Sequence, residues 1–174
     1  MDAFENVSTG MKLVLAGGSS HSDDYVESLR RRASDRIRLL PWTSGEDLDE
    51  LLSNAALFVL PSDLEGLSLA LLDAMAAGVC VLTSDIPENE EVVAGGGFTF
   101  KRGNRADLTR LLDLLIHNPD LRRQAAAKGE QHIHERYLWP DIVRSIEKAY
   151  FRVLDRSHAA GALIPESEQH SSVA

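Results

Sequence analysis

Short apolar runs alternate with amphipathic segments over the first hundred residues of this chain. The apolar runs are the predicted strands and lie at 12–16, 36–40, 57–60, 79–83 and, more weakly, 98–100. Helical periodicity fills the intervals at 23–33, 45–54, 67–77 and 89–93. Strands that alternate with helices of this length pair in parallel, and strands apolar throughout are covered on both faces. The pattern predicts a Rossmann-like three-layer α/β/α domain with a parallel sheet.

Beyond residue 104 the pattern is helical only. Leucines 108, 111, 112 and 115 repeat on one helix face, and Asn118-Pro119 separates that helix from the next. A final helix has an apolar face that begins at Trp139 and ends at Leu154. Residues 156–174 are rich in Ser, Ala, His and Glu and lack periodicity. We therefore predict one domain over 1–155 and a disordered tail over 156–174.

Two pairs of polar residues predict helix N-caps. Ser44 precedes Asp47 by three positions, and Asn104 precedes Asp107 by three. A short polar side chain followed three residues later by an acid is typical of a helix start. Both Ser44 and Asn104 are therefore expected to cap the helices that follow them.

The composition is that of an ordinary globular protein with an acidic surface. Hydrophobic residues make up 44%, charged residues 26%, and the formal net charge is -9. Nucleic acids and anionic membranes need a basic surface, so neither is an expected partner. The single cysteine, Cys80, excludes an intrachain disulfide and is predicted to be a buried hydrophobe. No signal-peptide pattern and no apolar run of ~20 residues is visible, which predicts a cytoplasmic protein without a transmembrane segment.

Candidate chemistry lies in the segment 61–78. The strand at 57–60 enters a short acidic turn, and a helix is predicted to begin at Gly66. The free N–H groups and partial positive charge of a helix N-terminus favour a phosphate. Glu65 stands beside this helix start, and Asp73 lies about two turns inside the helix, roughly 10 Å along its axis at ~1.5 Å per residue. A phosphate site with a carboxylate at that distance suits a sugar nucleotide.

The same segment resembles a known family. Pro-Ser-x-x-Glu-Gly at 61–66, followed by Leu-Leu-acid-Ala-Met-Ala-x-Gly at 71–78, is similar to the signature of the retaining glycosyltransferases of the GT-B fold, group 1/family 4 type. The family has two paired acidic residues, which fall on Glu65 and Asp73 here. The resemblance implies that Glu65 contacts the donor sugar and is the catalytic residue of the two. It implies that Asp73 binds the ribose. The family has a glutamate at this position, so the side chain is one methylene shorter here. The implied diphosphate cradle is Gly66, Leu67, Ser68 and Leu69.

Further motifs extend the resemblance to nearly the whole of residues 2–154. Residues 11–18 resemble the family's second strand and glycine turn, and 36–42 its third strand and base-contacting loop, with Pro41 in place of the usual glycine. Residues 81–88 resemble the following strand and turn. The resemblance thereby adds Gly17, Trp42 and Thr43 to the nucleotide-binding residues. The glycines at 17–18 have an alternative interpretation as a simple tight turn, and Asp73 as an acid that bonds only the adjacent helical turn.

The family has two Rossmann-like domains, with the donor bound in the cleft between them. Its C-terminal half opens with a strand that carries two cations, a Gly-Arg and a Lys-Gly, and residues 1–7 resemble the helix after that strand. We therefore expect the C-terminal half of the GT-B fold, truncated at its N-terminus so that this central strand is missing. The strands at 12–16 and 57–60 should then either pair directly, in the order 36–40, 12–16, 57–60, 79–83, 98–100, or each expose an edge. Exposed apolar edges predict low stability or self-association.

Two functional hypotheses follow. The first is a donor-binding domain of a hexosyltransferase-type enzyme that takes a UDP- or GDP-sugar as substrate, uses no metal or other cofactor, and is inactive until a partner chain supplies the acceptor domain. The second is a non-catalytic relic or interaction module that keeps the Rossmann-like fold without the chemistry. The intact turn at 61–66 favours the first hypothesis, and the missing Arg/Lys strand favours the second.

Overall fold

The computed structural model describes residues 1–18 and 23–161 of the 174-residue chain. Its contacts divide the chain into two compact units, 1–135 and a second unit that begins at Arg136. The strands are β1 (Leu13–Ala16), β2 (Ile37–Leu40), β3 (Phe58–Leu60), β4 (Val81–Ser84) and β5 (Phe98–Phe100). The helices are α1 (Asp2–Glu5), α2 (Asp23–Arg30), α3 (Glu46–Ser53), α4 (Leu69–Ala76), α5 (Pro87–Val93), α6 (Arg105–His117), α7 (Pro119–Arg136) and α8 (Trp139–Gly161).

Within the described residues, all strand pairs are parallel and form two separate sheets. One sheet has the order β1-β2, and the other has the order β3-β4-β5. The predicted Rossmann-like α/β fold with parallel pairing is therefore confirmed. Of the two expected arrangements of β1 and β3, direct pairing in one five-stranded sheet is wrong, and an exposed edge on each strand is confirmed.

The free edge of β1 can be read from its hydrogen bonds. Leu13 donates its N–H to the Arg36 carbonyl at 2.8 Å, and Gly17 donates to the Leu40 carbonyl at 3.3 Å, both toward β2. Alternate residues of a parallel strand bond the same neighbour, so the Val14 and Ala16 amides point to the opposite edge. No strand of the described residues pairs there. The association and low stability expected from such edges remain predictions.

The core of the first unit lies under both sheets. Phe4 and Val7 are buried there, and α1 packs against α6, so the predicted N-terminal helix is confirmed in a shorter form. The Arg36 guanidinium lies 5.2 Å from the centre of the Phe4 ring and donates to the Val7 carbonyl at 2.9 Å. Helix α4 also contributes buried side chains, those of Leu71, Ala74 and Met75. The remaining members of the buried cluster include Cys80, Leu82, Phe100, Leu111, Leu112, Leu115 and Ile116.

Two element boundaries differ from the sequence prediction for local reasons. Strand β4 begins at Val81 instead of residue 79, because Val79 donates its N–H to the Ala74 carbonyl and completes the end of α4. Helix α5 begins at Pro87 instead of residue 89, because proline fits the first helical position.

One of the two predicted N-caps is confirmed. Asn104 Oδ1 accepts the Asp107 N–H at 3.0 Å and caps α6. Ser44 does not cap α3. Gly45 occupies the N-cap position with φ 62° and makes no side-chain hydrogen bond. This left-handed backbone suits glycine and displaces the helix start by one residue from the predicted cap.

Helix α8 forms the described part of the second unit. Its predicted apolar face is largely exposed, as Trp139, Val143, Ile146 and Tyr150 show. The helix continues to Gly161, past the predicted domain boundary at 155, and the disorder of the tail stays a prediction. The remainder of the predicted tail, 162–174, lies outside the described residues. None of the helices in the described part of the chain combines the length and apolar composition required to span a membrane.

A contact between two glycines holds α7 against the loop before β5. A Cβ on Gly96 would lie 2.4 Å from the Gly129 Cα, a distance that no side-chain rotation relieves. We expect Gly96→Ala to lower the free energy of unfolding by about 1–3 kcal/mol through overpacking. The measurement is urea unfolding followed by circular dichroism. Gly10→Ala is the control, because a Cβ there meets nothing within 4 Å; equal effects of the two variants would contradict the packing argument.

Candidate functional site

The turn between β3 and α4 ends in a capped helix start. Helix α4 begins at Leu69, so the predicted start at Gly66 is wrong. Ser68 is the N-cap: its Oγ accepts the Leu71 N–H at 3.3 Å, and its backbone is extended at φ -76° and ψ 106°. Serine is among the preferred N-cap residues, which explains why the helix starts here. The N–H groups of Leu69 and Ala70 have no hydrogen-bond partner within the described residues and remain available to a ligand.

Glu65 is held within this turn. Its Oε1 accepts a hydrogen bond of 2.6 Å from Ser62 Oγ, and the side chain is half-buried. Glu65 is therefore a positioned carboxylate instead of a freely solvated loop acid. The 2.6 Å distance is typical of the short O–H···O⁻ bonds that a carboxylate accepts.

Two neighbouring elements anchor the backbone of the same turn. Ser84 Oγ, at the carboxyl end of β4, donates to the Ser62 carbonyl. From the loop after β5, the Arg102 guanidinium donates to the Asp63 carbonyl at 3.1 Å. The Arg102 N–H in turn donates to Asp85 Oδ1 at 2.7 Å. Two successive carbonyls are thereby fixed, and the turn that carries Glu65 is braced on both sides.

The sequence analysis missed the buried polar pair behind this turn. Ser84 and Asn89 are each 1% exposed. Asn89 Nδ2 donates to the Ser84 carbonyl at 3.3 Å and to Ser84 Oγ at 3.1 Å. The available signal was the polar end of an otherwise apolar strand, Thr83-Ser84, followed by an asparagine within the next helix.

Asp73 lies closer to the helix start than predicted. Counted from Leu69 it is about 6 Å along the axis at ~1.5 Å per residue, instead of roughly 10 Å. The residue is exposed and lines a groove of about 400 Å³ between α3 and α4. The other lining residues are Leu48, Asp49, Leu52, Ser53, Ala76 and Ala77. Glu65 is not among them, so this groove does not bring the two acids together.

Gly17, Trp42 and Thr43 lie at the ends of β1 and β2. The Gly17 N–H is shared between the Leu40 and Pro41 carbonyls, at 3.3 and 3.2 Å, so it is already used within the fold. Its φ of 146° accounts for the glycine without a ligand. Trp42 is 79% exposed, and Thr43 Oγ1 donates to the Pro41 carbonyl at 3.0 Å. Ser19 and Ser20, the rest of the predicted glycine turn, lie outside the described residues.

Exposed leucines surround the start of α4. Leu64, Leu67 and Leu69 are 82%, 51% and 60% exposed. Contiguous exposed apolar surface is typical of binding sites, and these three leucines lie within six residues of the chain. The uncapped amides, the braced carboxylate and this apolar rim belong to one short segment, residues 62–70.

Cys80 has no part in this chemistry. The residue is buried in the core, as predicted. Burial raises the pKa of its thiol to about 11, an effect that the positive charge of Arg122 only partly opposes. A thiol with that pKa remains protonated at neutral pH and is a poor nucleophile.

Comparison with known proteins decides the family. The model of the family "Glycosyl transferases group 1" matches residues 1–132, three quarters of the chain. The chain belongs to this family. The group 1 glycosyltransferase segment is 34% identical over 143 residues to the N,N'-diacetylbacillosaminyl-diphospho-undecaprenol alpha-1,3-N-acetylgalactosaminyltransferase of Campylobacter jejuni, a match that covers 81% of this chain and 37% of that protein.

Solved structures show that the fold is that of the GT-B glycosyltransferases. The Anabaena protein HepE, crystallised with UDP and glucose, matches with a TM-score of 0.80 at 19% identity, over 87% of this chain and 43% of that one. Sucrose-phosphate synthase from Thermosynechococcus elongatus matches with a TM-score of 0.81 at 21% identity, over 89% and 41%. The group 1 glycosyltransferase chain described here thus spans well under half the length of these proteins.

Proposed function

We propose that this group 1 glycosyltransferase domain binds the nucleotide-sugar donor of a retaining sugar-transfer reaction and is inactive without an acceptor-binding domain. The observation that carries the proposal is the segment 62–70, where free amides at a helix N-terminus lie beside a braced carboxylate. The crystal structure of HepE with UDP and glucose supports a donor of this chemical type.

The donor diphosphate would lie at the N-terminus of α4. The N–H groups of Leu69 and Ala70 are free to donate to phosphate oxygens, and the helix dipole adds a partial positive charge. Gly66 and Leu67 line the approach to these amides, and Ser68 is engaged as the cap. This arrangement binds an anion through backbone groups despite the net charge of -9. It needs no metal ion, and addition of EDTA should leave nucleotide affinity unchanged.

The two acids would serve different parts of the donor. Glu65, fixed by Ser62, would accept hydrogen bonds from hydroxyls of the transferred sugar. Asp73, in the groove between α3 and α4, would accept them from the ribose. Trp42 and Thr43 would lie toward the base. In the reaction, the bond between the anomeric carbon and the diphosphate oxygen would break, a bond to the acceptor oxygen would form, and the proton of the acceptor hydroxyl would pass to the departing diphosphate.

The alternative function is an interaction module without catalysis. The exposed apolar face of α8 and the unpaired edges of β1 and β3 favour it, because each is a surface on which another protein could pack. A nucleotide-binding measurement distinguishes the two functions. A donor-binding domain binds UDP or GDP, whereas a module that only packs against other proteins binds neither.

Substitutions at Asp73 test the proposed ribose contact. Asp73→Ala should weaken nucleotide affinity ten- to hundredfold, because a hydrogen bond to a charged acceptor contributes about 1.5–3 kcal/mol. Asp73→Glu restores the longer side chain of the family and should keep or improve the affinity. Titration calorimetry with UDP and GDP measures both.

Asp47→Ala is the matched control for the Asp73 series. Asp47 is an exposed acid on α3 that does not line the groove, so its loss changes the net charge equally. Its affinity should equal that of the wild type. If all four proteins bind a nucleotide with the same affinity, Asp73 has no place in the site.

A further inference from the structure

A series of hydrogen bonds, joined through the covalent structure of Ser62, connects the buried interior to the Glu65 carboxylate. Asn89 Nδ2 donates to Ser84 Oγ at 3.1 Å, and Ser84 Oγ donates to the Ser62 carbonyl. Ser62 Oγ then donates to Glu65 Oε1 at 2.6 Å. We call these four residues the relay. It connects α5, the carboxyl end of β4 and the turn after β3.

The interior end of the relay is rigid and fully desolvated. Asn89 and Ser84 are each 1% exposed, and both hydrogen atoms of a buried amide need acceptors. Asn89 finds them on one residue, because it also donates to the Ser84 carbonyl. The Ser62 carbonyl can only accept a hydrogen bond, which fixes the direction of the bond from Ser84. Ser84 Oγ accepts from Asn89 and must use its own proton toward Ser62.

The exterior end of the relay is a half-buried carboxylate on a surface turn. A glutamate at such a position would ordinarily sample several rotamers, at an entropic cost to any ligand that orders it. The Ser62 hydroxyl removes part of this freedom before a ligand arrives. Preorganisation of a binding group by hydrogen bonds from a second layer of residues raises affinity by reducing that cost.

We propose that Asn89, Ser84 and Ser62 are positioning residues that orient the Glu65 carboxylate and thereby give the site its preference for a glycosylated nucleotide over the free nucleotide. This inference rests on the proposed function for its ligand, but its physical claim concerns this chain alone. Ser62 acts directly on Glu65. Ser84 and Asn89 act through the backbone of the turn and do not touch the sugar.

The first test compares two ligands for each variant. Ser62→Ala and Ser84→Ala should each weaken the binding of UDP-glucose or GDP-mannose about tenfold, the effect of one hydrogen bond to a charged group. The affinity for UDP or GDP should change by less than about twofold, since the diphosphate amides are untouched. Ser62→Thr keeps the hydroxyl and should restore wild-type preference. Ser28→Ala, which removes an exposed hydroxyl bonded within α2, is the control.

The second test needs no ligand. Side-chain NMR relaxation of Glu65 should show a lower order parameter in Ser84→Ala and in Ser62→Ala than in the wild type, with the exposed Glu50 of α3 unchanged as the internal reference. A purely structural role of Ser84 would lower stability without changing the order of Glu65. Unaltered order of Glu65 in both folded variants, or equal losses of affinity for the sugar nucleotide and the free nucleotide, would overturn the proposal.

The two tests separate the relay from the proposed function. If the wild-type chain binds neither UDP nor GDP, the proposed function fails, and the order of Glu65 still decides whether the relay positions it. If Ser84→Ala does not fold, Ser62→Ala carries both measurements, because Ser62 lies on the surface turn and its hydroxyl has no other partner within the described residues.

Discussion

Residues 1–174 alone, mixed with a panel of UDP- and GDP-sugars and simple alcohol acceptors, should form no glycoside above background. The departing diphosphate needs cations that offset its growing charge, and the loss of one such contact costs ~2.7–4 kcal/mol, about a hundred- to thousandfold in rate. The cation that the described residues place on the turn is Arg102, and its guanidinium is engaged by the Asp63 carbonyl. The leucines around the start of α4 are more than half exposed among the described residues, so water has access to the site. Slow donor hydrolysis is the most that we expect.

Product analysis by mass spectrometry measures this prediction, with the free nucleoside diphosphate followed in parallel. The control is the same chain without donor. Robust turnover by the purified chain, without a partner protein, would show that the active site lies elsewhere or that the segment 62–70 needs no second domain.

A proline at the first position of α4 should abolish most of the nucleotide affinity without unfolding the helix. Leu69→Pro removes one of the two free N–H donors, and proline is tolerated at the first helical position. The preceding Ser68 already has the extended backbone that proline demands, with φ -76° and ψ 106°. The loss of a hydrogen bond to a charged phosphate predicts about ten- to hundredfold weaker binding of UDP or GDP.

Two controls isolate the amide from the side chain and from proline itself. Leu69→Ala keeps the N–H and removes only an exposed side chain, so nucleotide affinity should change little. Arg105→Pro places proline at the first position of α6, away from the proposed site, after a residue with a similarly extended backbone, Asn104 at φ -93° and ψ 93°. Calorimetry reports the affinity and circular dichroism the helix content. Wild-type affinity in Leu69→Pro would exclude the α4 amides as the diphosphate site.

Most of the fold was predictable because the apolar strands and helix periodicities are strong local signals. The Asn104 cap, buried Cys80 and parallel pairing all follow from residue type and spacing. For β1 and β3 the sequence left two alternatives, direct pairing or an exposed edge on each strand. It could not decide between them, because pairing depends on which backbone edges meet in space. Helix ends were the weakest predictions, since Ser68 and Gly45 each decide a boundary through a single backbone geometry.

The chain segment that carries the candidate site was predictable from the sequence, but the spatial arrangement of its residues was not. The motif at 61–78 predicted the acidic turn that carries Glu65, but it placed the helix start at Gly66 instead of Leu69 and did not indicate that Asp73 lines a groove with α3. Gly17 fits its position for reasons of backbone conformation and hydrogen bonding within the sheet. Ser84 and Asn89 could not be placed beside Glu65 from sequence, because three elements converge there through contacts distant along the chain.

The most direct test of donor binding is an NMR titration of the ¹⁵N-labelled chain with UDP and, separately, with GDP. We predict saturable binding of at least one nucleotide, with the largest amide shifts at Leu69 and Ala70, smaller shifts along the turn at 62–68, and further shifts near Asp73. This prediction would be contradicted if neither nucleotide shifts these amides at millimolar concentration. Saturable shifts confined to other parts of the chain would also contradict it.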